Sequence, residues 1–267
     1  MRSSIEHSSH DGGQFPDHST SGSGRVRRCH DSRSDAAWWS HRRSGITDPS
    51  HFLELFTSEG CTSCPPADAL LHTLERNQPV AGVLIIPLSE HVDYWNRLGW
   101  HDPFSSPPLT KRQQTYVKAL GARSAYTPQM VVDEQVEFVG SKPVTARKEI
   151  RRARRVPKTP LTLKATVAPN SHILTVHGEI ERASHADAHD QIDVWFAVTE
   201  SDLMTDVKAG ENMFRRIYHT GVVRHLERIN TFRERNTSPH HVEDPLRLEP
   251  EWNLDRRKAV VFLQERR

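Results

Sequence analysis

The first folded part of the chain is marked by two short apolar runs that flank a helical spacing of leucines. Residues 52–56 are mostly apolar and predict a strand. Leu70, Leu71 and Leu74 then recur on one face at the period of an α-helix. Residues 83–88 are continuously apolar and largely β-branched, as in a strand that is buried on both faces. A strand, a crossover helix and a second strand predict a parallel pair.

The next segment, residues 89–121, is rich in aromatic residues, proline and polar residues, and we interpret it as an insert in this domain. Thr110 is the predicted N-cap of a helix, and Gly121 follows the end of that helix. A β-hairpin and a last helix are predicted to come next. The predicted bounds are 110–120 for the first helix, 129–133 and 136–140 for the strands, and 145–155 for the last helix.

The remainder of the chain has the alternation of half-buried strands. Residues 161–167 alternate strictly at period two, and turn-rich spacers separate the runs that follow. The further predicted strands cover 172–180, 191–199, 221–224 and 258–263. Short strands at such spacing predict an antiparallel, sandwich-like arrangement.

These patterns divide the chain into three regions. Residues 1–48 are dominated by Ser, His, Arg, Asp and Gly, and so polar a segment buries too little surface to offset the entropy of ordering. We therefore predict a disordered tail over 1–48. An α/β domain with a mixed sheet is predicted over 49–156, and a smaller antiparallel β-rich domain over 157–267.

Composition and charge exclude several classes of protein. The chain has 36 basic and 34 acidic residues and a formal net charge of +2, so no overall field draws it to nucleic acid or to an anionic membrane. No apolar run approaches the roughly 18 residues that span a bilayer, and the first fifty residues contain no apolar segment of a secretory signal. We therefore expect no nucleic-acid partner, no membrane span and, for the sequence as it stands, a cytoplasmic protein.

The most specific chemical feature is the Cys-Thr-Ser-Cys stretch at residues 61–64. Pro65 and Pro66 follow it, and because two prolines are tolerated only in the first turn of a helix, Cys61 is predicted at the N-terminus of that helix. Amides there stabilise a thiolate, which is the nucleophile of disulfide exchange. Cys61 is the predicted attacking thiol, and Cys64 the thiol that resolves the mixed disulfide. Zinc sites, structural disulfides and iron–sulfur ligands use the same spacing.

Glu54 and the Thr127-Pro128 pair are further candidates. Glu54 is a carboxylate inside an apolar strand, a costly position unless the group is paired or functional. Beneath a dithiol it would take the proton of the resolving thiol; the alternative is that it pairs with an arginine or a histidine. Asp68 and Glu59 are substitutes for this base, although both are more simply explained as carboxylates at a helix start. Thr127-Pro128 directly precedes the predicted hairpin.

Several stretches together resemble one bacterial family. The most specific covers residues 54–68, and further matching stretches lie at 91–95, 99–103, 112–113, 126–129, 210–212 and 222–224. Over about 52–264 the chain resembles the thioredoxin-like proteins known as domain of unknown function 1223, which are usually exported. The resemblance implies a thioredoxin-like α/β domain with a β-rich extension. It also implies a cis bond before Pro128, beside the cysteine pair, and a Thr127 backbone that is available to pair with an extended substrate.

The combined reading favours a thiol–disulfide oxidoreductase that needs no cofactor and acts on protein or small-molecule disulfides. Its partner would be a protein that carries a disulfide or a dithiol. The predicted site residues are Cys61, Cys64, Pro128, Thr127 and Glu54.

Two other functions stay open at this point. Thiolates and imidazoles suit copper and zinc, so Cys61 and Cys64 with His91, or with Asp93 or His101, would make a metal-handling protein. The third possibility is a redox-silent binding module, in which the cysteine pair is a static disulfide.

Overall fold

The computed structural model describes residues 50–168, 171–181, 191–233 and 239–266. The tail that is predicted to be disordered over 1–48 lies outside the described residues. None of the helices in the described ranges is long and apolar enough to cross a membrane.

The described part of the chain contains twelve strands and three α-helices. The α-helices are α1 (Pro65–Asn77), α2 (Pro107–Ala119) and α3 (Pro143–Ala153). The first strands are β1 (Ser50–Thr57), β2 (Leu84–His91), β3 (Gln129–Val132), β4 (Val136–Val139), β5 (Leu161–Val167) and β6 (Ile173–Ile180). The others are β7 (Gln191–Glu200), β8 (Leu203–Asp206), β9 (Arg216–His219), β10 (Val222–Arg233), β11 (His240–Arg247) and β12 (Arg257–Glu265).

Most strands belong to one mixed sheet of seven, in the order β12-β7-β10-β2-β1-β3-β4. Strand β1 runs parallel to β2 and antiparallel to β3. Strand β10 joins the other edge of β2 in parallel at Val222 and Ser89, and β7 and β12 follow it in antiparallel pairing. A three-stranded sheet, β11-β6-β5, and the β8–β9 hairpin complete the described strands.

The predicted fold class, an α/β thioredoxin-like domain followed by a separate antiparallel sandwich, is therefore wrong. Strands from both predicted regions share the seven-stranded sheet, and the described part of the protein is mostly β. The edge of β2 offers unpaired backbone groups, which β10 satisfies. Gly221 permits this approach: its φ is +60°, and a Cβ there would lie 2.6 Å from the carbonyl oxygen of Pro87.

The predicted helices and strands agree with the structure better than the predicted architecture does. Every predicted strand and helix is present, although β10 extends well past 221–224, and β8, β9 and β11 are not anticipated. Helix α2 begins at Pro107 rather than at Thr110, with Ser106 as its N-cap. Thr110 instead donates a hydrogen bond to Oδ1 of Asp93 at 2.6 Å.

The large sheet is buried on both faces, and β1 shows how its residues divide. Leu53 and Leu55 face α1 and α3, where Leu71 and Ile150 belong to the same core cluster. Phe56, with the opposite orientation, packs in the cluster of α2. Burying each large apolar side chain contributes about 1.5–3 kcal/mol. The alternation places odd-numbered β1 residues on the α1 face and even-numbered ones on the α2 face.

Candidate functional site

The cysteine pair lies in the turn that joins β1 to α1. Cys64 is the N-cap residue of α1, and Pro65 and Pro66 occupy the first turn, as predicted. A disulfide joins Cys61 to Cys64, with their Cα atoms 5.4 Å apart. Cys61 therefore precedes the helix by one turn, and it is Cys64 that adjoins the positive end of the helix dipole.

Both cysteines are fully buried, with 0% exposure, although the two residues between them are exposed. The hydroxyl oxygen of Ser63 lies 3.3 Å from Sγ of Cys61 and 3.4 Å from the carbonyl oxygen of Thr127. Access to the sulfur atoms consequently requires movement of the groups that cover them.

The Thr127-Pro128 pair lies beside the cysteine turn, and the bond between these residues is cis. Besides the Ser63 contact, the hydroxyl of Thr127 accepts a hydrogen bond from Nε1 of Trp95 at 2.8 Å. The carbonyl oxygen of Pro128 accepts one from the amide of Gly140 at 2.9 Å. The structure thus brings four of the predicted site residues together.

Glu54 is the predicted site residue that the structure does not bring to the sulfur atoms. As an even-numbered residue of β1 it faces α2, whereas the cysteine turn continues into α1 on the opposite face. It accepts hydrogen bonds from Nε of Arg112 at 2.6 Å and from the hydroxyl of Tyr116 at 2.5 Å. Glu54 is thus paired with an arginine, which was the alternative to a role as base for the dithiol.

Arg112, Glu54 and Glu90 form a buried ionic cluster beneath α2. Nε of Arg112 lies 3.4 Å from Oε1 of Glu90. Burial opposes the guanidinium charge, but Glu54 and other partners hold the pKa of Arg112 well above its usual value. Burial, and then Glu54, raise the pKa of Glu90 well above its usual value. Burial and the neighbouring carboxylate therefore favour the neutral form of Glu90 more than in an exposed glutamate.

Asp68 supplies the buried carboxyl group on the cysteine side of the sheet. It follows Cys64 by four residues, and its amide donates to the Cys64 carbonyl at 3.1 Å, so the two side chains share a helix face. Oδ1 of Asp68 accepts a hydrogen bond from the Thr57 hydroxyl at 2.9 Å. Burial raises the pKa of Asp68 against the opposing effects of His219, His91 and the Thr57 bond. Its carboxylate is consequently a stronger base than an exposed aspartate.

Two histidine–carboxylate pairs lie behind Asp68. His91 donates from Nδ1 to Oδ2 of Asp102 at 2.7 Å, and His219 donates from Nε2 to Oε1 of Glu59 at 3.0 Å. The two imidazole rings have centroids 5.1 Å apart. Burial opposes the positive charge of His91, but Asp102 and further carboxylates raise its pKa overall. The electrostatic effects of His219 and His91 act to lower the pKa of Asp68, against the larger effect of burial.

Sequence reasoning missed His219 as a site residue. It is separated from Glu59 by 160 positions, and no local spacing relates them. Asp102 and Asn212 were noted only within stretches that carry a resemblance. The contacts of these residues with the cysteine turn can be recognised only in the folded structure, in which β9 lies beside α1.

Two of the residues proposed as metal ligands form hydrogen bonds with other side chains. His91 donates to Asp102, and Asp93 accepts a hydrogen bond from the hydroxyl of Thr110. Within the described ranges, no group of three or more His, Cys, Asp or Glu side chains is arranged to hold a metal ion.

A segment between β8 and β9 covers the cysteine turn. Nδ2 of the fully buried Asn212 donates to the carbonyl oxygens of Glu59 at 2.8 Å and Cys61 at 2.9 Å. Oε2 of Glu211 accepts a hydrogen bond from the amide of Thr62 at 3.1 Å. Residues distant in sequence thereby hold the backbone around the disulfide in place.

Comparison with known sequences decides the family. The sequence profile of the family described as "Protein of unknown function (DUF1223)" matches residues 52–264. The chain belongs to the DUF1223 family. No match was found among the curated proteins.

Two solved structures are similar to this DUF1223 protein. AGR_C_4864 from Agrobacterium tumefaciens is 28% identical with a TM-score of 0.57, and 73% of this chain and 78% of that chain are covered. HBP35 of Porphyromonas gingivalis is 13% identical with a TM-score of 0.56, and 82% of this chain and 70% of that chain are covered. Because HBP35 is only 13% identical to this chain, its similarity concerns the fold alone.

The DUF1223 protein also has a cavity of about 510 Å³, away from the cysteine turn. It lies on the α2 side of the sheet and is lined in part by Arg112, Tyr116, Glu134 and Trp195. Burial, followed by the negative charge of Glu54, raises the pKa of Glu134 to about 8. At neutral pH this carboxyl group therefore holds a proton that it would lose in the unfolded chain.

Glu134 makes stability depend on pH. Because its pKa is higher in the folded state, its contribution is fully favourable below the unfolded value near 4.5 and is lost as pH rises to about 8. Glu134→Gln should flatten the pH dependence of the unfolding free energy between pH 5 and 8 by up to about 1.4 kcal/mol per pH unit. Urea denaturation at several pH values measures this. Glu251→Gln, at an exposed position, is the control, and equal slopes for wild type and Glu134→Gln would refute the assignment.

Proposed function

We propose that this protein catalyses thiol–disulfide exchange through Cys61 and Cys64. The observation that carries the proposal is a disulfide at the start of α1 with a buried carboxyl group, Asp68, on the same helix face as Cys64. A disulfide-forming pair, a helix N-terminus and a nearby base are the groups that this chemistry uses.

The two cysteines differ in what surrounds them, which supports different roles. The Sγ atom of Cys61 lies beside the hydroxyl of Ser63, an exposed residue, which can donate a hydrogen bond to a Cys61 thiolate. Cys64 shares its helix face with Asp68. We therefore assign Cys61 as the attacking thiol and Cys64 as the resolving thiol, with Asp68 as the proton acceptor.

In the reductive direction the reduced protein transfers two electrons to a substrate disulfide. The Cys61 thiolate attacks one substrate sulfur, the substrate disulfide breaks, and the first substrate thiolate leaves. Asp68 then takes the proton of Cys64, whose sulfur attacks Sγ of Cys61 and releases the second substrate thiolate. The products are the Cys61–Cys64 disulfide and a substrate dithiol, which takes up two protons. A dithiol donor restores the reduced protein, and the reverse steps oxidise a substrate.

Dithiol-dependent reduction of insulin, with oxidation of a reduced dicysteine peptide as the reverse assay, tests the activity. The purified protein should accelerate one of these reactions well above the rate of the small-molecule reagent alone. Acceleration of neither reaction would refute the proposal.

The burial of both cysteines favours one second candidate, a binding module with a static disulfide. Buried structural disulfides resist reduction, with potentials below about −300 mV. Equilibration of the Cys61–Cys64 couple with glutathione or dithiothreitol buffers measures the potential. A value in the range of exchange enzymes, about −120 to −270 mV, would argue against a static bridge.

Asp68→Asn should slow resolution of the mixed disulfide at least about tenfold, because amides cannot take the proton of Cys64. The wild-type rate should rise with pH as Asp68 ionises, above the usual aspartate range, and the variant should lack this rise. Stopped-flow measurement of thiol release against pH tests both effects. Since burying a carboxylate is costly, the variant should unfold no more easily than wild type.

Asp202→Asn is the matched control for this variant. Asp202 is exposed and has a positive φ, a conformation that asparagine readily adopts. The control should keep the wild-type rate and pH profile. An Asp68→Asn profile that coincides with the wild-type profile would exclude Asp68 as the base.

A further inference from the structure

The segment that binds the backbone of the cysteine turn also displays the most exposed large apolar side chain of the described residues. Glu211 and Asn212 bind the cysteine turn, and the next two residues face solvent: Met213 is 47% exposed and Phe214 is 87% exposed. Four consecutive residues therefore join hydrogen bonds to the backbone of the cysteine turn to an exposed apolar pair.

The exposure of Phe214 is imposed by the fold rather than by a loose loop. Its amide donates to the carbonyl oxygen of Val207 at 2.8 Å, and the amide of Arg215 donates to that of Asn212 at 3.0 Å. Phe214 nevertheless has a φ of +67°, which is uncommon and costly for a bulky residue. A fixed, strained backbone that holds an aromatic ring in water points to a function for that ring.

The outer face of the β8–β9 hairpin carries two further exposed apolar side chains. Met204 of β8 and Tyr218 of β9 are cross-strand partners, and both are exposed. Their neighbours on that face, Asp206 and Arg216, form an exposed bidentate ion pair. We name Met204, Met213, Phe214 and Tyr218 the hairpin surface.

We propose that the hairpin surface docks an extended, apolar segment of a non-native polypeptide whose cysteines exchange with the Cys61–Cys64 pair. This inference rests on the proposed exchange activity and narrows its substrate class from disulfides in general to protein disulfides. Docking at Met213 and Phe214 places the bound segment next to the residues that bind the backbone of the cysteine turn.

Three features select a non-native polypeptide over other occupants. Methionine side chains are flexible and polarisable, so a surface that contains two of them adapts to varied apolar sequences. Four side chains fall well short of the roughly 800 Å² per partner that a stable, specific interface between folded proteins or two copies needs. The burial of both cysteines also favours a thin, extended chain over a folded protein as the substrate.

The test measures binding separately from chemistry. The probe is reduced, carboxymethylated α-lactalbumin, an unfolded protein without reactive sulfur, labelled with fluorescein and followed by anisotropy. Phe214→Ala, alone and with Met213→Ala, should raise the dissociation constant about tenfold, as for the loss of an aromatic anchor. Ile173→Ala is the matched control, since Ile173 is 42% exposed and lies in the separate β11-β6-β5 sheet, and it should stay within twofold.

The outcomes separate this inference from the proposed function. Binding that Phe214→Ala weakens, with unchanged turnover of hydroxyethyl disulfide, supports the docking surface. Absence of binding by the wild type, or equal binding by Phe214→Ala and wild type, overturns it even if exchange activity is present. A shift from dimer to monomer in Phe214→Ala without a change in probe affinity overturns it in favour of a contact between copies. If insulin is not reduced and the dicysteine peptide is not oxidised, the exchange activity is refuted; probe binding that depends on Phe214 would then show a docking surface without exchange, and the link between the two would be overturned.

Discussion

Replacement of Cys64 by serine is expected to trap mixed disulfides at Cys61 and to reduce turnover by about a thousandfold or more. Cys61 can still attack a substrate disulfide in this variant, because its surroundings are unchanged. Serine cannot resolve the product, because its hydroxyl does not attack Sγ of Cys61 at neutral pH. Covalent adducts should therefore accumulate, and non-reducing electrophoresis followed by mass spectrometry of the linked peptides detects them.

The reciprocal variant is the control. Cys61→Ser should lose turnover to the same extent and trap no adducts, because its remaining thiol, Cys64, faces the buried side of α1 with Asp68. A variant with serine at both positions gives the background. Adducts that form through Cys64 instead would reverse the assigned roles. An absence of adducts in every variant, together with no turnover by the wild type, would leave the static disulfide as the better description.

The cysteine site was predictable from sequence because its determinants are local. Two prolines after Cys64 leave the start of a helix as the only favourable location, and α1 begins at Pro65. The position of Thr127-Pro128 beside the cysteine pair was implied by a family resemblance and not by the pattern of the residues themselves. The family prediction is confirmed over residues 52–264.

The choice of the buried carboxyl group could not be made from sequence. Glu54 and Asp68 are both acidic residues near the cysteine pair along the chain, and the apolar neighbours of Glu54 made it the more conspicuous. The face to which each side chain points depends on strand alternation. On β1 this alternation directs Glu54 to α2, whereas Asp68 follows Cys64 along α1.

The architecture was not predictable for a related reason. The alternation in 161–167 or 191–199 indicates strands but does not say which strands pair. Strand β10 joins β2 at one paired position, Val222 and Ser89, so that β7 and β12 extend the sheet of β1 instead of forming a separate layer. The position of a glycine before β10 is compatible with such a contact, but glycine has many other uses in turns.

Arg112 explains how the two parts of the large sheet are held together on the α2 face. It binds Glu54 of β1, donates from one terminal nitrogen to Oε1 of Gln264 in β12 at 3.2 Å, and stacks 4.9 Å from the ring centroid of Trp195 in β7. One buried side chain on α2 thus contacts strands from both predicted domains. Its loss should affect the whole sheet rather than one element.

Arg112→Ala is expected to lower the unfolding free energy by about 3–5 kcal/mol, because the variant leaves Glu54 buried without its counter-ion. Urea denaturation of the variant and of wild type at pH 7, followed by far-ultraviolet circular dichroism, measures the loss. Arg112→Lys keeps a charge near Glu54 but lacks the guanidinium fork. Its unfolding free energy should therefore lie between those of wild type and Arg112→Ala.

Arg216→Ala provides the matched comparison. Arg216 also makes a bidentate contact with a carboxylate, Asp206, but both side chains are exposed, so its removal should change stability little. Combining Arg112→Ala with Glu54→Gln should recover part of the lost stability, since the unpaired charge is then absent. Equal losses for Arg112→Ala and Arg216→Ala, or no recovery in the double variant, would show that burial of the Glu54 charge does not determine the stability of this sheet.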